Sequence, residues 1–315
     1  MKKVLSVLLS LAIVFVCMPV SASANADPAF SRCNDENFDI EEFLNNSDTT
    51  QVIVSSEKQM LLQALDAGVL TREELNEELY KMANMSISEL EKDGYTLENI
   101  DIIKSYCDGD DAFTHVYGDN TTRAIDAELT FRYGLKENDS QRSVTIVYEI
   151  KWDDYPFWQF DDSYGIGWIA ADKNSMPLAT KIDKTEQKVE YYTCADETYI
   201  WDGYVETKTT SGRALVGVFD MSGPAPAYTP SNYGKIIQGT IKVSTQSNSN
   251  NIETIQIFVD YQHTIVSASF SWDVALTPNI SDIAVSFTPS VSVNQIEMAN
   301  GSHTFQYNSR LQVEA

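Results

Sequence analysis

From Ala124 onward the apolar residues recur at every second position, and this period limits the fold more than any other feature of the chain. In Val144–Trp152, Val144, Ile146, Tyr148, Ile150 and Trp152 share one side, while Thr145, Val147, Glu149 and Lys151 share the other. In Val266–Leu276, Val266, Ala268, Phe270, Trp272, Val274 and Leu276 alternate with Ser267, Ser269, Ser271, Asp273 and Ala275. A period of two puts successive side chains on opposite faces of a strand. Further strands are expected at 127–133, 164–171, 188–194, 197–206, 213–221, 235–245, 252–261, 283–293 and 303–313. Stretches rich in Gly, Pro, Asn and Ser separate them. Short alternating strands with no helical pattern between them predict a mainly β, antiparallel architecture. Two amphipathic sheets bury their apolar faces best against each other, so the expectation is a β-sandwich, with a barrel as the alternative.

Upstream the period is helical. Ser56 with Gln59 frames a helix over 57–67 that stops at Gly68. Thr71 with Glu74 opens a second helix, and Ser86 with Glu89 a third that stops at Gly94. Thr96 opens a fourth, running to Cys107. The organisation expected from these signals is a segment 1–24 for export, an acidic irregular segment 25–55 and a small helical unit 56–108. A linker 109–124 and the sandwich 125–315 follow.

Residues 1–24 have the three parts of a secretory signal peptide: Lys2 and Lys3, an apolar run from Val4 to Val20, and the small residues Ser21–Ala26. Cleavage after Ala24 or Ala26 removes two lysines and no acid, so the formal charge of −24 becomes −26. The expected location is extracellular, with no stable membrane anchor. A charge of this sign repels phosphate backbones, so nucleic acid is not expected as a partner. Three cysteines remain, too few for a disulfide scaffold, and Cys33 with Cys107 is the candidate pair.

The densest chemical segment is Trp152–Trp168. A carbohydrate-stacking platform there would use Trp152, Tyr155, Trp158, Tyr164 and Trp168, because ring faces pack on the apolar faces of sugars while carboxylates accept their hydroxyls. Its aspartates Asp153, Asp154, Asp161 and Asp162 form a candidate calcium site, since a hard cation needs several oxygens. The competing reading is a strand and turn whose rings fill the core. Asp108, Asp110 and Asp111 lack the glycine and glutamate spacing of an EF-hand loop. No resident cofactor other than calcium is expected. Cys194, His263 and Asp196 can be drawn as a nucleophile set, but no catalytic motif supports them. Paired carboxylates for glycoside hydrolysis remain a weaker alternative. The Ser/Thr-rich alternation of 236–276 resembles membrane-inserting hairpins, which gives a membrane-active or antibacterial effector as the second reading.

Two stretches, Leu90–Asp108 and Tyr148–Trp168 with its Trp-Asp-x-x-Pro-Phe core, resemble segments of uncharacterised secreted proteins of Gram-positive bacteria. The resemblance implies an exported bacterial product and no activity. In a eukaryotic source, Asn120 and Asn279 would stand in glycosylation sequons. The function expected is a secreted, non-enzymatic extracellular binding protein for carbohydrate or cell-surface material, its oligomeric state left open. N-terminal sequencing of the exported protein is expected to begin at Asn25 or Asp27.

Overall fold

The computed structural model describes residues 38–118, 126–138, 140–210, 213–223, 231–247, 250–265, 272–277, 284–289, 295–307 and 313–314. The export signal, Cys33, residues 119–124 of the expected linker and both sequons lie outside them.

The first described elements are helix α1 (Ile40–Asn46) and strand β1 (Gln51–Ser56). Both fall in the segment expected to be irregular. The run Gln-Val-Ile-Val-Ser-Ser is β-branched, and β1 pairs antiparallel with β2 (Glu128–Glu137) from Gln51↔Tyr133 to Ser56↔Glu128. Between these neighbours lie helices α2 (Glu57–Ala67), α3 (Arg72–Asn84), α4 (Ile87–Lys92), α5 (Leu97–Ser105) and α6 (Ala112–Tyr117). The helical unit is therefore an excursion between two paired strands, and the sandwich starts at Gln51 instead of residue 125.

The helix ends follow their local chemistry. Ser56, Thr71, Ser86 and Thr96 each accept the backbone N–H three residues on, with full capping boxes at Thr71–Glu74 and Ser86–Glu89. Gly68 takes the left-handed C-cap of α2. Helix α6 occupies part of the expected linker because Asp111 caps it and also pairs with Arg72 at 2.6 Å. Asp111 thus serves as a cap, not as an ion ligand.

Two antiparallel sheets follow. Sheet A is ordered β1-β2-β3-β9-β5-β6, with β3 (Ser143–Trp152), β5 (Thr180–Thr193), β6 (Tyr199–Gly203) and β9 (Asn232–Thr245). Sheet B is ordered β14-β13-β10-β4-β8-β7. Its strands are β4 (Asp161–Ala171), β7 (Glu206–Thr210), β8 (Ala214–Asp220), β10 (Thr254–Thr264), β13 (Gln295–Tyr307) and β14 (Val313–Glu314). Strands β11 (Trp272–Thr277) and β12 (Ala284–Pro289) form a separate two-stranded ribbon. The mainly β expectation holds. The inward residues of both sheets and the apolar faces of the helices join one hydrophobic core.

The segment 236–276 is not one hairpin. Strand β9 lies between β3 and β5 in sheet A, and β10 between β4 and β13 in sheet B. Both strands are hydrogen-bonded on both edges, so neither is free to leave its sheet.

The helical excursion is seated on the sandwich by a close approach at Gly94, whose φ is +93°. A Cβ there would lie 2.6 Å from Gln159 Oε1 and 2.7 Å from Ser222 Cβ. Next to it, Ser231 Oγ donates to the Tyr95 carbonyl at 2.9 Å. Gly94→Ala is expected to destabilise the fold by about 1–3 kcal/mol, through the positive φ and the clash together. Thermal melting with Gly68→Ala beside it checks the contribution of the clash. Gly68 also has positive φ, but its Cβ would meet open space.

Candidate functional site

The aromatic segment 152–168 is the joint of the molecule. Strand β3 ends at Trp152 in sheet A and β4 begins at Asp161 in sheet B, so residues 153–160 carry the chain across the sandwich. The five rings expected to form a platform face inward. Trp152, Trp158 and Trp168 are fully buried, and Tyr155 and Tyr164 are buried beside them. Trp158 packs edge-on against Phe157, and the other four have interior partners as well. Trp152 Nε1 donates to Tyr261 Oη at 3.2 Å, Trp168 Nε1 donates to Thr180 Oγ1 at 3.2 Å, and Tyr155 packs edge-on against Tyr233. Tyr148 and Tyr164 share the Gln187 Oε1 at 2.9 and 2.7 Å. Segment 152–168 thus fills the core and offers no ring face to a sugar.

At this joint lies a fully buried charge network. His263 on β10 donates through Nδ1 to Asp162 Oδ2 at 2.8 Å and through Nε2 to Glu57 Oε1 at 3.0 Å. All three side chains have zero exposure. Burial by itself disfavours the imidazolium, but the charges and hydrogen bonds of Asp162 and Glu57 outweigh it and raise the His263 pKa to about 10. The carboxylates have further donors. Asp162 accepts Tyr261 Oη at 2.6 Å and Thr264 N at 3.0 Å. Glu57 accepts Phe157 N at 3.1 Å and Trp158 N at 3.3 Å, and it stands in the first turn of α2, at the positive end of the helix dipole. The network has no solvent access and no nucleophile, so its chemistry is to hold three elements together.

The four aspartates read as a calcium site do not converge. Asp153 accepts the Glu128 N–H at 2.6 Å, and Asp154 that of Tyr155 at 2.8 Å. Adjacent strand residues point to opposite faces, so Asp162 is inward with His263 while Asp161 is outward. Burial, then the charge of its cross-strand partner Asp220, pushes Asp161 up to about 6. Among the described residues no three His, Cys, Asp or Glu side chains group to hold a metal ion. The drawn nucleophile set is also not assembled: His263 is committed to its two carboxylates, and burial pushes the Cys194 thiol up to about 12. Cys107 is exposed, at the turn after α5.

An exposed aromatic cluster occurs elsewhere, in Tyr191–Tyr204 (YYTCADETYIWDGY). Here β5 turns through a left-handed Glu197 into β6, the edge strand of sheet A. Tyr191 stays inside and stacks on Trp201 at 4.9 Å, whereas Tyr199 and Tyr204 are 49% and 67% exposed. Tyr192 and Trp201 are half-buried, and Tyr192 meets Tyr199 edge-on at 5.8 Å. Carboxylates orient the rings: Tyr192 Oη donates to Glu190 Oε2 at 3.1 Å, and Tyr199 Oη to Asp202 Oδ1 at 3.1 Å. Lys188 bridges Glu190 and Asp202, and Lys235 lies 5.8 Å over the Tyr192 ring. Burial and then Glu190 push the Tyr192 pKa up to about 12, so its phenol stays neutral. Sequence reasoning passed over this cluster. Its signal was five aromatics in fourteen residues, interleaved with Asp, Glu and Thr.

No family model matches the sequence, and no curated protein matches it. Among solved structures, the chain is similar over 55% of its length to the collagen-binding domain from a Staphylococcus aureus adhesin, covering 95% of that domain at 7% identity and a TM-score of 0.27. It is similar over 55% to ACE19, the collagen binding subdomain of the Enterococcus faecalis surface protein ACE (92% covered, 10% identity, TM-score 0.27). Over 43% it is similar to the C-terminal domain of the Streptococcus agalactiae AgI/II polypeptide BspA (53% covered, 13% identity, TM-score 0.26). At these TM-scores the likenesses carry no argument about function.

The charge network has a pH signature. The folded pKa of His263 lies above the ordinary 6.5, so its contribution is complete below pH 6.5 and is lost as pH rises through about 10. Urea unfolding at pH 6, 8 and 10 is expected to show wild type approaching His263→Gln as pH rises. At pH 6 the variant should be about 3–5 kcal/mol less stable, the cost of breaking a buried ion pair.

Proposed function

We propose that this chain is a secreted extracellular binding protein that takes carbohydrate or cell-surface glycan on the Tyr192–Tyr199–Tyr204 patch, at the edge formed by β5, β6 and the residue after it. One observation carries the reading: at the β5–β6 edge of sheet A, Tyr192 and Tyr199 are oriented by carboxylates and flanked by Lys188 and Lys235, and exposed Tyr204 follows just beyond β6. Most of the described aromatic rings are inside, and tyrosine and tryptophan left at the surface are the side chains that dominate recognition surfaces. Their apolar faces suit the C–H faces of a sugar ring, while Glu190, Asp202 and Lys188 suit its hydroxyls. The export signal and the acidity read from the sequence support an extracellular setting and a neutral or cationic target.

A glycan array with wild type and Tyr199→Ala/Tyr204→Ala checks the proposal. The double variant should keep the wild-type melting temperature, because both rings are exposed, and should lose about ten-fold or more in affinity. Trp158→Ala serves as the contrast: it should lose about 3–5 kcal/mol of stability without a selective effect on any sugar. An array on which wild type binds nothing, or one on which the tyrosine variant binds as well as wild type, overturns the assignment.

A further inference from the structure

Two primary ammonium groups of the chain itself already sit at the β5–β6 patch. Lys188 Nζ lies between Glu190 Oε1 at 2.6 Å and Asp202 Oδ1 at 3.6 Å. Lys235 Nζ lies 2.6 Å from Glu197 Oε2 and 5.8 Å over the Tyr192 ring. Each is held by carboxylate, and Lys235 by the face of a tyrosine as well. An ammonium group suits such a place, because it donates to carboxylate oxygens and is drawn to the negative face of an aromatic ring.

Carboxylates outnumber these two cations. Glu190 lies on β5, Asp196 and Glu197 in the turn, and Asp202 on β6, while Glu41 of α1 adds its charge near Tyr192. Lys151 is two strands away from Glu190, across Ile236. Lys235 is buried against Glu197, and Lys188 is taken up between its two acids. The acids reach further into solvent: the side chains of Asp202 and Glu197 are 41% and 48% exposed. The patch thus presents tyrosine rings beside uncompensated negative charge.

The pair Tyr199–Asp202 offers outward the same combination that holds Lys235. Tyr199 donates to Asp202 Oδ1, and Lys188 approaches that same oxygen. Among the described residues no hydrogen-bond donor reaches Asp202 Oδ2. Exposed Tyr204 follows just beyond the end of β6. Contacts join the whole patch, from Glu197 through Lys235 and Tyr192 to Tyr199 and Asp202.

We propose that the glycan taken here carries unacetylated amino sugars, whose ammonium groups pair with Asp202 and Glu197 while the sugar rings pack on Tyr199 and Tyr204. This deepens the glycan reading given above and rests on it. A hydroxyl at the same ring position finds the same oxygens but brings no charge, and a uronic acid is repelled by them. Acetylation removes the charge of the amine and with it both the ion pair and the attraction to the ring face. One exposed ion pair is weak, so the preference comes from several amines of one oligosaccharide engaging together. The net charge of −24 also draws cationic chains toward the molecule.

The test compares three β-1,4-linked hexasaccharides that differ only at C2: the glucosamine hexamer with an amine, the chitin hexamer with an acetamide and cellohexaose with a hydroxyl. Calorimetric titration of the full-length exported protein at pH 6 and low salt, where the amines are charged, is expected to show the glucosamine hexamer binding about ten-fold or more tighter than either of the others. Sodium chloride at about 0.5 M should shrink that ratio to about two-fold, because exposed charges are screened. Asp202→Asn keeps an acceptor for the Tyr199 hydroxyl and should lower the ratio to about three-fold, with circular dichroism establishing that it folds. The salt series needs no variant and checks the charge requirement independently. A ratio that persists at high salt or in folded Asp202→Asn overturns the proposal. Equal or tighter binding of cellohexaose or the chitin hexamer overturns it too, and leaves the glycan reading standing. Hexalysine binding as tightly as the glucosamine hexamer also overturns it, because the patch then selects charge and not sugar. If none of the three hexamers binds, the proposal fails, and the array of other glycans shows whether the glycan reading fails with it.

Discussion

The structure depends on one buried imidazolium. His263 holds Asp162 of the neighbouring strand β4 with one ring nitrogen and Glu57 of helix α2 with the other. Removing three charges from water is expensive, and a buried pair repays that cost only when every lone pair is engaged. Here Tyr261 and Thr264 serve Asp162, and the Phe157 and Trp158 amides serve Glu57. Because those amides belong to the crossing segment 153–160, the same network fixes where the chain passes from sheet A to sheet B. The helical excursion is thereby tied to the sandwich at its root, with Gly94 and Tyr95 making a second tie further out.

This arrangement explains why the richest aromatic segment is interior and a sparser one is the candidate surface. The segment around Trp152–Trp168 occupies the sheet-to-sheet crossing, roofed by α2 and its companions, with Phe157 packing edge-on against Tyr95 and Tyr117. Tyr199–Tyr204 belongs to the outermost strand of sheet A and the turn after it, with no further strand among the described residues beyond them to cover the rings. Aromatic density alone did not separate the two segments. Position within the sheets decided which one faces solvent.

Much of the architecture was legible. The change from helical to two-residue period marked the helices and the strands, and the capping residues Ser56, Thr71, Ser86 and Thr96 start helices where they were expected to. These are local properties, decided within one or two turns of the chain. Strand β1 was not legible, because an edge strand of six residues flanked by helices has too little pattern of its own; it exists by pairing with β2, seventy-odd residues away. Nor was the charge network: Glu57 reads as an ordinary first-turn acid, Asp162 as half of an Asp pair and His263 as an isolated histidine. Their separation in sequence, 101 and 206 residues from His263, leaves no local signature.

The amino-acid order by itself determined which stretches are strands or helices, where the helices begin, and that Val266–Leu276 has one apolar and one mostly polar set of positions. Those follow from side-chain periodicity and from hydrogen bonds that close within a few residues. Tertiary structure alone decided which aromatic residues are buried, that the helices lie between two paired strands, and that β9 and β10 belong to different sheets. Burial and strand partnership depend on what covers a residue, and in this chain the covering elements come from distant parts of the sequence.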